Sequence, residues 1–150
     1  MMEKVVLLVE DSEDDIKLTQ MAFKENNIAN KMVVLNDGEE AVEYLFCQGK
    51  YRERDINDQP TIILLDIKLP KLSGLEVLKK IRADNRTKYI PTVMLTSSTE
   101  EEDMIEGYKG GCNSYVCKPV EYEQFSQAVK QLELYWVLNN RTPNKRIEEE

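Results

Sequence analysis

The sequence predicts an α/β domain, a parallel sheet covered by helices on both faces. Three observations lead there. Five short apolar runs recur along the chain, helix-period segments separate them in strict alternation, and the central runs are apolar throughout. Strands buried on both faces must be apolar throughout, whereas half-exposed strands alternate. Helices between successive strands force right-handed parallel crossovers.

The first strand is KVVLLV (4–9), followed by a helix marked by Ile16, Leu18, Met21 and Ala22. KMVVL (31–35) is the second strand, and Asp37 is placed to cap a helix carrying Ala41, Val42, Leu45 and Phe46. The connection that follows, containing GKYRERDINDQ (49–59), is longer than such connections usually are. TIILLD (61–66) is the third strand. Ser73 and Glu76 then have capping-box spacing ahead of a helix with Leu75, Leu78 and Ile81. PTVMLT (91–96) is the fourth strand, and Thr99 with Glu102 repeats the capping spacing before a short helix with Met104, Ile105 and Tyr108. Gly110-Gly111 ends that helix. NSYVC (113–117) is the fifth strand, and Phe125, Val129, Leu132 and Tyr135 mark a long last helix over 123–140.

Composition bounds the chemistry. A chain of 150 residues with 41% hydrophobic and 32% charged residues suits one soluble globular domain. No apolar run approaches a membrane span and no secretion signal opens the chain, so a cytoplasmic location is expected. The net charge of −8 argues against direct nucleic-acid binding. Cys47, Cys112 and Cys117 match no disulfide framework or CxxC motif and read as small core residues. The chain has no histidine, which excludes Ser-His-Asp and Cys-His hydrolases, histidine-ligated metals and phosphohistidine carriers. Carboxylates, hydroxyls and lysines remain.

Ligands of such sheets bind beyond the carboxyl ends of the strands. There the sequence places Glu10-Asp11 after strand one, Asp66 at the end of strand three, Thr96-Ser97 after strand four and Lys118-Pro119 after strand five. Each has an ordinary account alone: a helix cap, a solvated strand-end carboxylate, a hydroxyl bonded to backbone, a surface lysine. Together they converge on one pocket. Three gathered carboxylates repel one another and need a counter-charge, which a hard, oxygen-preferring Mg²⁺ supplies. With Thr96 as hydroxyl donor and Lys118 as cation, the set describes phosphoryl transfer to Asp66.

VEDSEDD (9–15), LLDIKLPKLSGLEVLKKIR (64–82), PTVMLTSS (91–98) and SYVCKP (114–119), in that order, resemble the receiver domains of two-component response regulators. The resemblance spans about residues 3–138 and implies a flavodoxin-like (βα)5 fold with strand order 2-1-3-4-5. It implies Asp66 as phosphoacceptor, with Asp11, Asp66 and the backbone carbonyl of Lys68 as direct Mg²⁺ ligands and Glu10 acting through water. Thr96 resembles the switch hydroxyl, Lys118 the phosphate-binding lysine and Tyr115 the aromatic switch. The Lys118-Pro119 bond is expected to be cis, and Pro70 and Gly74 fit a tight loop after strand three. Output in this family runs through the surface of the fourth helix, fifth strand and last helix. The expected partner is a sensor histidine kinase, and the protein is a phosphoacceptor with autodephosphorylation, not a turnover enzyme.

A receiver domain over 1–140 and a disordered tail over 141–150 are expected, with no output domain in the sequence. The 49–59 segment reads either as a solvated loop or as a kinase-docking element. Leu134, Val137 and Leu138 fall on a different side of the last helix from Phe125, Val129, Leu132, Tyr135 and Trp136. That second apolar side packs against a loop or, the preferred reading, forms a homodimer interface. The long loop and the YWVLNN tail (135–140) resemble regulators paired with bacterial phytochrome-type kinases. A haloacid-dehalogenase-type phosphohydrolase would need an acid where Lys68 stands. A flavodoxin would need a phosphate-cradling loop where Glu10-Asp11 stand. A pseudo-receiver would lack part of a pocket that is here complete.

Overall fold

The computed structural model describes residues 5–26, 31–96, 101–117 and 122–132. Five strands, β1 (Val5–Val9), β2 (Lys31–Leu35), β3 (Ile62–Leu65), β4 (Thr92–Thr96) and β5 (Ser114–Cys117), alternate with five helices. The helices are α1 (Glu13–Glu25), α2 (Gly38–Leu45), α3 (Gly74–Ala83), α4 (Glu101–Lys109) and α5 (Tyr122–Leu132). The sheet is parallel throughout, in the order β2-β1-β3-β4-β5. The fold class and strand order are those expected.

Alternate residues of the central strands feed two cores. Leu7, Val9, Ile63 and Leu65 join Ala41, Tyr44 and Leu45 of α2 and Val77, Leu78 and Ile81 of α3 on one face. Val6, Leu8, Ile62 and Leu64 join Ala22 and Phe23 of α1 and Phe125 and Val129 of α5 on the other. The four residues of β3 are all buried, whereas the edge strand β2 is largely half-exposed. Burial on both faces accounts for the uninterrupted apolar run of β3.

The helix starts follow the sequence signals. Asp37 accepts the Glu40 N–H at 2.7 Å and Ser73 that of Glu76 at 3.2 Å. Thr99 lies outside the described residues. Helix α4 ends in a Schellman arrangement: Cys112 N–H donates to Gly107 O at 3.0 Å and Gly111 N–H to Tyr108 O at 3.1 Å. Gly111 takes the required left-handed conformation, with φ +95°.

Three expected core markers face outward. Met21, Ile105 and Tyr108 are 57%, 45% and 52% exposed. In α1 the buried positions are Thr19, Ala22 and Phe23, so a polar residue holds part of the inward face. Thr19 can do so because its hydroxyl donates to Asp15 O at 2.8 Å, and a bonded hydroxyl is cheap to bury.

The long connection after α2 is folded onto that helix, while Lys50, Arg52, Glu53, Asp55, Asn57 and Asp58 face outward. It opens with a 3-10 turn, Gly49–Tyr51. The Tyr51 ring meets Tyr44 edge-on at 5.2 Å, and the Arg54 guanidinium lies 3.7 Å from the Tyr44 ring centre. Arg54 also donates to the carbonyls of Tyr44 and Asp58, and Gln59 Nε2 to Leu45 O at 2.9 Å. Lys50 pairs with Glu40.

Leu134, Tyr135, Trp136, Val137, Leu138 and the 141–150 segment lie outside the described residues, as does the side chain of Leu132. Among the described residues, no helix is long and apolar enough to cross a membrane.

Candidate phosphoacceptor and metal site

The sheet ladder itself delivers the carboxylates. Glu10 N–H donates to Leu35 O at 2.9 Å, and Asp66 N–H donates to Val9 O at 3.1 Å. Each bond carries the ladder one residue past its strand, so Glu10 and Asp66 leave the sheet side by side. The Asn36 amide fixes the Glu10 carbonyl at 3.2 Å. Carboxylate oxygens of Glu10, Asp11 and Asp66 all lie within 4.8 Å of one another.

Burial differs across the set. Glu10 is 2% and Asp66 7% exposed, while Asp11 is open to solvent. Glu10 Oε2 accepts the N–H groups of Asp11 and Ser12 at 3.1 and 3.3 Å, which orients it at the start of α1. The cap of α1 is Ser12, whose hydroxyl accepts the Asp15 N–H at 3.3 Å. The ordinary account of Glu10-Asp11 as the helix cap therefore fails, because a neighbour fills that role.

No ion pair with a lysine or arginine forms at Asp11 or Asp66 among the described residues. Two buried acids and one exposed one, held this close, are a poor arrangement for three anions in isolation. They are a good one for a hard divalent cation, which takes carboxylate oxygens and keeps part of its water shell. The donor set thus fits the metal.

The loop from β3 to α3 is tightly built. Lys68 N–H approaches Asp66 Oδ1 at 3.4 Å, and Lys68 itself is exposed. Leu69 N–H donates to Ile67 O and Leu72 N–H to Pro70 O, at 3.1 and 2.7 Å. Lys71 has φ +68° and lies 3.8 Å from Asp37. At its end, Gly74 N–H donates to Ile67 O at 2.8 Å, and a Cβ on Gly74 would sit 2.0 Å from Asp66 O. The first turn of α3 therefore rests on the Asp66 peptide, which holds that backbone from below.

Of the other expected residues, Thr96 ends β4, paired in register with Cys117, and its side chain lies outside the described residues. Lys118 and the Lys118-Pro119 bond also lie outside them. Tyr115 is half-buried in β5 against the α2/α3 core, and a Cβ on Gly107 of α4 would come within 3.5 Å of its ring.

No sequence pattern marks Arg82, which lies at the opposite, amino-terminal edge of the sheet and ties the end of α3 to the segments that lead into β4 and β5. Its Nε donates to Gly111 O at 2.8 Å, Nη1 to Ile90 O at 2.9 Å and Nη2 to Asn113 Oδ1 at 3.0 Å. Burial lowers its pKa from the ordinary guanidinium value, and it meets carbonyls in place of a carboxylate. Burial likewise raises the nearby Cys112 thiol, against the opposing charge of Arg82.

Fold and site together define a doubly wound α/β domain with a divalent-cation pocket at the carboxyl edge of its sheet. Residues 6–130 match the family described as the response regulator receiver domain, and the chain belongs to it. Receiver domains accept phosphoryl groups from histidine kinases and bind a divalent metal in an acidic pocket. Among curated relatives, the chain is 38% identical over 134 residues to the response regulator Rcp1 of Synechocystis, covering 89% of each chain. It is 35% identical over 139 residues to the probable methanogenesis regulatory protein FilR2 of Methanothrix harundinacea, covering 93% of this chain and 87% of that one. Among solved structures, the phosphorylated cyanobacterial phytochrome response regulator RcpA superposes with a TM-score of 0.85 at 37% identity, covering 95% of this chain and 99% of that one. The Mn²⁺-bound form of Rcp1 superposes with a TM-score of 0.83 at 37% identity, covering 93% and 99%.

Proposed function

We propose that this chain accepts a phosphoryl group on Asp66 from a sensor histidine kinase, with Mg²⁺ held by Glu10, Asp11, Asp66 and the backbone carbonyl of Lys68. The convergence of three carboxylates within 4.8 Å carries this reading. A carboxylate oxygen of Asp66 attacks the phosphorus of a phosphohistidine. The O–P bond forms as the N–P bond breaks, and the imidazole recovers the electron pair. The backbone ladder and the Gly74 contact hold the Asp66 peptide, so little reorganisation is needed at the moment of attack. Mg²⁺, when bound, neutralises phosphoryl oxygens.

Thr96 donates a hydrogen bond to the phosphoryl group and Lys118 pairs with it, roles supported by the family pattern at these positions. The phosphorylated state then draws Thr96 and Tyr115 into new positions and changes the α4–β5–α5 surface. The chain is a self-dephosphorylating phosphoacceptor, not a turnover enzyme, and works in the cytoplasm as a receiver domain over 1–140 with a 141–150 tail. Similarity to Rcp1 and RcpA supports a phytochrome-type kinase as partner. The apolar residues of the 123–140 segment support a homodimer through its C-terminal part.

The test is intact-protein mass after incubation with acetyl phosphate and Mg²⁺. One phosphoryl adduct is expected, lost with EDTA and in Asp66→Asn. An adduct that survives Asp66→Asn would place the acceptor elsewhere.

A further inference from the structure

The pocket loop has a second support that no motif marks. Gly38, the first residue of α2, donates its N–H to Pro70 O at 3.2 Å, and a Cβ there would stand 1.9 Å from Leu72 O, 2.7 Å from Leu72 C and 2.9 Å from Leu72 Cβ. Real Cβ atoms do not approach backbone so closely, and backbone cannot swing aside as a side-chain tip can. Gly38 has no left-handed φ, so close approach alone demands glycine there. The loop is therefore gripped at two points: Gly74 lies under Asp66 and Ile67, and Gly38 under Pro70–Leu72. Lys68 lies between them. Asp37 beside Gly38 caps α2 and faces Lys71, so the same turn engages the loop through a side chain as well.

We propose that Gly38 is a positioning residue for the metal pocket, holding the β3–α3 loop where Asp66 and Lys68 can act. The inference rests on the site reading above. A side chain at position 38 must push the loop outward or tilt the start of α2, and either displacement moves Lys68 relative to Glu10 and Asp11. Groups that orient metal ligands without touching the metal typically change affinity by about 10- to 100-fold when altered.

The experiment compares Mn²⁺ affinity, read from the free-ion signal by electron paramagnetic resonance, in the unaltered chain, Gly38→Ala and Gly110→Ala. Gly110 provides a packing control remote from the loop: a Cβ there would meet Leu78 Cδ2 at 3.0 Å and Glu106 O at 3.2 Å. Gly38→Ala is expected to weaken binding about 10-fold or more while folded, with Gly110→Ala unchanged. Equal affinity in all three proteins overturns the inference and leaves the site reading intact. Absence of Mn²⁺ binding in the unaltered chain overturns both.

If Gly38→Ala does not fold, amide exchange in the unaltered chain decides. Mg²⁺ at about 100 times its Kd should slow exchange of the Gly38 and Leu72 amides by about 100-fold, as for Gly74, if the grip and the pocket open together. Slowing at Gly74 with none at Gly38 would overturn the proposal.

Discussion

Replacing Arg82 with methionine keeps most of the aliphatic stem and deletes three hydrogen bonds, two of them to part-buried carbonyls, Gly111 O and Ile90 O. Hydrogen bonds to a charged partner are worth about 1.5–3 kcal/mol each. The third, to Asn113 Oδ1, is exposed and adds about 0.5 kcal/mol at most. Against this, the variant no longer buries a guanidinium, whose desolvation is visible in its lowered pKa. Water can also reach part of the gap. We expect a net loss of about 2–3 kcal/mol in urea unfolding followed by circular dichroism, with the slope against urea unchanged. Arg82→Lys should lose roughly half as much, because one ammonium cannot span three acceptors set by a planar fork. A loss below about 0.5 kcal/mol for Arg82→Met would show that water replaces the guanidinium at no cost, and the account of Arg82 as a clamp would fall. The same loss with a changed slope would point to the unfolded state instead.

Gly74→Ala should cost at least about 2 kcal/mol in the same assay and reduce the acetyl phosphate adduct, since the Asp66 peptide must move by about 1 Å to clear the new Cβ. An unchanged adduct yield would show that the acceptor tolerates that shift. Cys112 should resist iodoacetamide at pH 8 in the folded protein and react on unfolding, because burial raises its pKa and covers the sulfur; peptide mass mapping reads this directly, and rapid native labelling would contradict the packing. Asp84 is held below the ordinary carboxylate range by its hydrogen bonds to Arg86, so its contribution is present above about pH 4 and disappears as pH falls through the lowered value. The pair is partly exposed, so Asp84→Asn should cost no more than about 0.5 kcal/mol at pH 7, less in high salt. The gap between the two proteins should narrow as pH falls below about 4 and close once Asp84 is protonated in the folded state, and a gap of constant size across that acid range would count against an electrostatic origin.

The fold was legible because period and burial agree wherever the sheet is covered on both faces. TIILL and VVLLV are short and rich in β-branched residues, which favours buried strands over helices, and strict alternation with helices leaves few topologies. The carboxylates were legible for a related reason: a charged residue ending an apolar strand is conspicuous. What stayed hidden depends on pairs far apart in sequence. Arg82 sits in an unremarkable KKIR, and its carbonyl partners are fixed only once α3 packs beside the α4–β5 turn. Gly38 looks like a routine turn glycine, and its contact with Leu72 exists only across two loops. Apolar residues such as Met21 and Ile105 misled because a surface can carry a lone large side chain at modest cost, so hydrophobicity does not by itself point inward.

The four-residue strand β3 sends Ile62 and Leu64 to one core and Ile63 and Leu65 to the other. Both cores are apolar, so sliding this strand by one residue would exchange leucines and isoleucines between faces with little penalty from pattern alone. The strand needs a stop. Asp66 provides it: a slip of one position would draw its carboxylate into the place of Leu65, where ionisation is prohibitive. The residue proposed to carry the signal is thus also the punctuation that tells the central strand where to end. Folding and signalling draw on the same negative charge, so variants that silence Asp66 with an apolar side chain should loosen strand registration as well. A polar isostere is the cleaner way to remove the chemistry alone.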